Sequence, residues 1–130
     1  MNRVTVATLD SLPVDRGVAA VVGGEYVAVF RLADGEVAAI DHVDPCSGVP
    51  VLARGLVGSV DDVPVVASPL HKQRFDLRTG RCLDDTSASV HVWPVEVVDG
   101  VVTVGERPIS RTASPTNPAE PEPAADEDAA

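Results

Sequence analysis

Two short segments hold the side chains whose types could do chemistry. Asp44 and Cys46 lie in Asp44-Pro45-Cys46-Ser47-Gly48, and Ser68 and His71 lie in Ser68-Pro69-Leu70-His71. With His42 they include the carboxylate, thiol and imidazole groups that bind a single zinc or iron ion, provided the fold brings the segments together. Such a centre ordinarily needs three or four correctly aimed ligands, and His42 has no fixed spacing to the others. Ser68 and His71 could be a nucleophile and its base, but no nucleophile elbow surrounds Ser68, and Pro69 stiffens the segment without supplying an oxyanion donor. Redox work by Cys46 and Cys82 lacks a C-x-x-C spacing, and no cation flanks Cys46 to lower its pKa, although Arg81 does precede Cys82. The plainer expectation is that the segments keep a shape suited to docking. Cys46 would then pack as a small apolar residue, and His71 would bond a backbone carbonyl.

Composition limits what these residues can serve. A chain of 130 residues is expected to form one domain that buries a core without disulfide or metal staples. Its formal charge of -10 argues against nucleic acid and anionic membranes, because both demand a basic face. With aromatic residues at 3%, stacking platforms for bases or flat cofactors are nearly absent. No apolar run approaches the roughly twenty residues of a membrane span, and Met1-Asn2-Arg3-Val4-Thr5 does not start a signal-peptide core. The expected location is cytoplasmic, where Cys46 and Cys82 would be free thiols unless the fold places them close enough to pair.

The elements that position the two segments are strands. Valine-rich runs at Arg3–Ala7, Val18–Val22, Tyr26–Leu32, Val37–Asp41, Val63–Ala67, Arg74–Leu77, Val90–Val98 and Val101–Val104 are separated by turn signals. Gly23-Gly24, Ala33-Asp34-Gly35-Glu36 and Asp99-Gly100 read as hairpin turns, and Val51–Leu56 as at most one helical turn. The fold class is therefore all-β, a sandwich or a barrel. From residue 108 to residue 130 the composition changes to Pro, Ser, Thr, Ala and acidic residues, ending Asp126-Glu127-Asp128-Ala129-Ala130. A segment this poor in apolar residues is expected to be a disordered acidic tail.

With strands and segments in place, residues 3–105 resemble a Rieske-type domain, which implies an antiparallel β-sandwich. A Rieske cluster takes C-x-H from one loop and C-x-x-H from another. Aligned on the prolines and on Arg74-Phe75-Asp76-Leu77-Arg78-Thr79-Gly80, Asp44 and Ser68 stand at the two cysteine positions and Cys46 at one histidine position. Only His71 keeps the expected type. The implied [2Fe-2S] centre is therefore expected to be absent. More closely, the chain resembles the small subunits of cytoplasmic NAD(P)H-dependent assimilatory nitrite reductase, which lack these ligands. The resemblance rests on Arg16–Ala20, Tyr26–Leu32, Asp44–Gly48 and, above all, Val65–Phe75 running into Gly80–Asp85. It implies an accessory subunit with no cofactor of its own. Its partner would be a large subunit that carries FAD, siroheme and an iron–sulfur cluster and reduces nitrite to ammonium. No side chain carries electrons at the required potentials, so the chemistry would be the partner's. The alternatives are a Rieske-type ferredoxin with atypical ligands and a mononuclear metal protein.

Positive charge gathers after the second segment, at Lys72, Arg74, Arg78 and Arg81. Alternation on a strand would place Lys72, Arg74 and Asp76 on one face, opposite Gln73, Phe75 and Leu77. This could be a solvated edge that resists aggregation, or a docking patch around Pro45, Ser47, Gly48, Pro69 and Leu70. Trp93, followed by Pro94, is expected in the core or at its edge.

Overall fold

The structure, a computed structural model, describes residues 3–109. Apart from its first two residues, the expected acidic tail lies outside the described residues. The valine-rich runs form nine strands: β1 (Arg3–Thr8), β2 (Gly17–Val22), β3 (Glu25–Arg31), β4 (Val37–Asp41), β5 (Leu56–Val60), β6 (Val63–Ala67), β7 (Arg74–Asp76), β8 (Val95–Val98) and β9 (Val101–Gly105). They pair antiparallel in three sheets, ordered β1-β9-β8, β2-β3-β4 and β5-β6-β7. Among the described residues, no helix is long and apolar enough to cross a membrane.

The middle sheet explains the near-continuous apolar run of β3. Side chains alternate across a strand, and a strand covered on both faces needs apolar residues at every position. Val27 and Val29 pack with Trp93, Val102 and Val104, whereas Ala28 and Phe30 pack with Leu52, Val66, Phe75 and Leu77. The sheet β2-β3-β4 therefore lies between the other two, with a core on each side. Truncating Phe30 or Phe75 would cost about 3–5 kcal/mol.

Three two-residue hairpins use paired left-handed residues, the geometry that matches strand twist. Gly23-Gly24 joins β2 to β3 with φ of 58° and 85°, and Asp99-Gly100 joins β8 to β9 with φ of 51° and 77°. The third, Asp61-Asp62 at 50° and 67°, joins β5 to β6. The sequence reading does not include β5, because Gly58 and Ser59 are poor strand formers and Asp61-Asp62 is a weaker turn signal than a glycine pair. The helical turn expected within Val51–Leu56 is a 3₁₀ turn at Leu52–Arg54.

One expected strand is shorter than read. Val90–Val98 is regular only over Val95–Val98, because Pro94 supplies no N–H to a ladder. The residues before it cross to the middle sheet, where Trp93 N–H donates to the Ala39 carbonyl at 2.9 Å and Val92 bridges Ile40.

Candidate functional site

The two segments are short loops that close on themselves in the same way. In the first, between β4 and the 3₁₀ turn, the Gly48 N–H donates to the Asp44 carbonyl at 2.7 Å, with Gly48 at φ +76°. In the second, between β6 and β7, the Lys72 N–H donates to the Ser68 carbonyl at 2.9 Å, with Lys72 at φ +64°. The opening side chain of each also accepts from the backbone two residues on. Cys46 N–H bonds Asp44 Oδ1 at 2.8 Å, and Leu70 N–H bonds Ser68 Oγ at 3.3 Å. Asp and Ser open such turns because their short side chains satisfy nearby N–H groups.

A single buried bond then joins the loops. The Ser68 hydroxyl donates to Asp44 Oδ2 at 2.5 Å, with Asp44 at 0% and Ser68 at 1% exposure. A hydrogen bond to a carboxylate at this length is charge-assisted and roughly twice as strong as a neutral one. It connects residues that the two loops contribute from different sheets.

Around this clamp the loop tips are exposed. Pro45, Cys46, Gly48, Pro69, Leu70, His71 and Lys72 are all exposed, and Ser47 is half-buried. The expectation that Cys46 packs as a small apolar residue is thus corrected, because the turn aims its side chain outward. The same holds for His71, which makes no side-chain hydrogen bond among the described residues. Partial desolvation by the loop, reinforced by the acidic groups of Asp44, Cys82 and Asp85, holds the Cys46 thiol above its usual pKa. Cys46 and Cys82 are both free thiols, Cys82 being buried.

His42 lies behind the tip. It is buried, and its Nδ1 accepts from Ala53 N–H at 3.1 Å. Burial, and then the nearby Arg54 charge, lower its pKa, so it is a neutral structural acceptor. Among the described residues, no three His, Cys, Asp or Glu side chains are grouped so as to hold a metal ion.

The basic segment is more neutralised than its composition suggests. Arg74 makes a two-pronged pair with Asp84, at 3.1 Å from Nε and 2.7 Å from a terminal nitrogen, and this holds the Asp84 carboxyl down at about 2. Arg78 reaches Glu36 at 3.5 Å. Phe75 and Leu77 are buried as alternation predicts, but Gln73 is only half-buried. Sequence reasoning missed the network behind the first loop. Asp41 accepts from Trp93 Nε1 at 2.9 Å and from His91 N–H at 2.8 Å, and it meets His91 Nδ1 at 2.9 Å. Burial pushes the Asp41 carboxyl up, but these hydrogen bonds more than offset it and its pKa is lowered. The exposed apolar residues Val43, Val49 and Leu83 were missed as well. Exposure depends on tertiary packing, and valine or leucine gives no local signal of it.

A family model described as Rieske-like [2Fe-2S] domain matches residues 2–105. The chain belongs to the Rieske-like domain family. It is 42% identical over 98 residues to a nitrite reductase (NADH) small subunit of Salmonella typhimurium, covering 75% of this chain and 91% of that one. It is also 42% identical over 102 residues to a nitrite reductase [NAD(P)H] large subunit of Klebsiella oxytoca, covering 78% of this chain but spanning only 11% of that much longer one. Among solved structures, the nitrite reductase [NAD(P)H] small subunit of Erwinia carotovora superposes with a TM-score of 0.68 at 35% identity, covering 93% of this chain and 92% of that one.

The family's cluster does not fit the residues present. Two thiolates would have to come from positions 44 and 68, which hold a carboxylate and a hydroxyl already bonded to one another. A serine hydroxyl is not ionised at neutral pH, and a carboxylate is too hard a ligand to suit a sulfide-bridged cluster.

Proposed function

We propose that this chain is the accessory small subunit of a cytoplasmic NAD(P)H-dependent nitrite reductase, and that it carries no cluster. The observation that carries the accessory role is the buried Asp44–Ser68 bond, which closes the loops in the place of the ligands. FAD, siroheme and an iron–sulfur cluster would reside on the large subunit, and with them the six-electron reduction of nitrite to ammonium.

The small subunit contributes surface. Its contact with the large subunit is the loop tip, with Pro45, Ser47, Gly48, Pro69 and Leu70 forming an apolar centre, and Lys72 and Arg74 its basic edge. Val49 and Leu83, at 40% and 38% exposure, extend the apolar area. An apolar centre with a polar rim is the ordinary anatomy of a specific interface. The Klebsiella large subunit supports the pairing, because a closely similar segment is part of that same chain.

The test is co-purification of the tagged chain with a flavin- and siroheme-containing large subunit, together with nitrite reduction in a strain lacking this chain. Absence of association and undiminished nitrite reduction refute the assignment. A stoichiometric [2Fe-2S] EPR signal in anaerobically purified protein refutes the cluster-free part.

A further inference from the structure

We infer that Lys72 is held out at the loop tip to pair with a carboxylate on the large subunit; the inference rests on the tip being the interface. The first ground is conformational. Five non-glycine residues among those described have positive φ, and four of them, Asp15, Asp61, Asp62 and Asp99, are aspartates. Short polar side chains tolerate this region, whereas a lysine gains nothing locally to offset the Cβ crowding. The equivalent closing position of the first loop is Gly48, at φ +76°. Glycine would therefore serve at position 72 with less strain, and strain retained in an exposed loop points to a use for the side chain.

The second ground is electrostatic and independent of the first. Arg74 is paired with Asp84, Arg78 with Glu36 and Arg3 with Glu96. Lys72 is exposed and, like the exposed Arg16, Arg54, Arg81 and Arg107, has no ion pair among the described residues; what distinguishes it is its place at the loop tip. It follows directly on Pro69, Leu70 and His71, all exposed, with Leu70 at 48%. A free cation on the edge of an apolar patch fits a partner surface that is itself apolar with an acidic group at its margin. Such rim charges set orientation and association rate.

The experiment measures affinity between the holo large subunit and the full-length small subunit at low and moderate salt, for Lys72→Gly, Lys72→Asn, Lys72→Arg and Leu70→Asp. Thermal midpoints of the small subunits are measured alongside. Lys72→Gly is expected to raise the midpoint only slightly, because the extra freedom glycine gives the unfolded chain offsets much of the relieved strain, and yet weaken binding roughly three- to tenfold, with a flatter salt dependence. Lys72→Asn should weaken binding similarly, and Lys72→Arg should preserve it. Unchanged affinity and salt dependence in Lys72→Gly, alongside lost binding in Leu70→Asp, overturns the role of Lys72 and leaves the tip interface standing. Unchanged binding in Leu70→Asp overturns the interface itself. A lowered midpoint in Lys72→Gly overturns the strain argument.

Discussion

Replacing Ser68 with alanine removes one hydroxyl and leaves Asp44 Oδ2 without its 2.5 Å donor in a position that has 0% exposure. Removing one partner of a charged, buried hydrogen bond costs about 1.5–3 kcal/mol, because the remaining group keeps its desolvation penalty. A value near the middle corresponds to a fall of roughly 8–16 °C in the thermal midpoint for a domain of about this size. In urea, with a slope of about 1.5 kcal/mol per molar, it corresponds to a midpoint lowered by roughly 1–2 M. Asp44→Asn should be milder, since the amide can still accept from Cys46 N–H and donate to Ser68 Oγ. The assay is urea unfolding followed by far-UV circular dichroism on the wild type, Ser68→Ala, Asp44→Asn, Asp44→Ala and the Asp44→Ala/Ser68→Ala double variant, the cycle being built on alanine at both positions because alanine leaves no substitute bond. The cycle should return a coupling energy of at least about 1 kcal/mol between positions 44 and 68. A Ser68→Ala midpoint within about 0.3 M of wild type, or a coupling energy near zero, would falsify the clamp.

Two further outcomes follow from the titratable groups at the site. The folded-state pKa of His42 is below its ordinary 6.5, so the folded protein binds this proton less readily than the unfolded chain does. That stability is complete above about pH 6.5 and declines as the pH falls below it, with a slope of at most about 1.4 kcal/mol per pH unit. His42→Gln should flatten this part of a stability–pH curve measured by urea titration; an unchanged curve would exclude His42 as its source. Cys46 is exposed but its thiol pKa is raised, whereas Cys82 is buried. Iodoacetamide should label Cys46 alone in native protein, slowly at neutral pH and faster as the pH rises, as read by peptide mass spectrometry. Labelling of Cys82 at a comparable rate would contradict the packing around it.

The middle of the fold was legible because β3 is buried on both faces and spells this out as an unbroken apolar run, and because Asp99-Gly100 admits little besides a tight hairpin. β5 was not legible. Its hairpin depends on two aspartates adopting left-handed backbone together, which sequence permits but does not demand. The truncation of Val90–Val98 could have been read from Pro94, but the crossing of Val92 and Trp93 to β4 could not, since it depends on Asp41 capturing Trp93 and His91 from 52 and 50 residues away. At the site, the loop positions and the unsuitability of Asp44 and Ser68 as cluster ligands were readable from residue types alone. Their bond to each other was not, because the sequence separation of 24 residues carries no distance. Nor could the basic segment be read correctly as a whole, since the partner of Arg74 is Asp84 from the following loop.

The two closed turns show how this loop pair holds its shape by hydrogen bonds alone. Each turn is held by its own backbone bond, from Gly48 to Asp44 and from Lys72 to Ser68, so each tip is defined locally. What a bridging metal centre would add is the spacing between the tips, and here one hydrogen bond between Ser68 and Asp44 sets it. Neither the backbone bonds nor the clamp involves a group that changes oxidation state. The spacing of tips held this way does not depend on the redox condition of the surroundings, although the exposed Cys46 thiol on the first tip remains open to oxidation. If the tip is the proposed contact with the large subunit, binding that changed with oxidation state would originate either on the partner's side or at the Cys46 thiol, and Cys46→Ser separates the two.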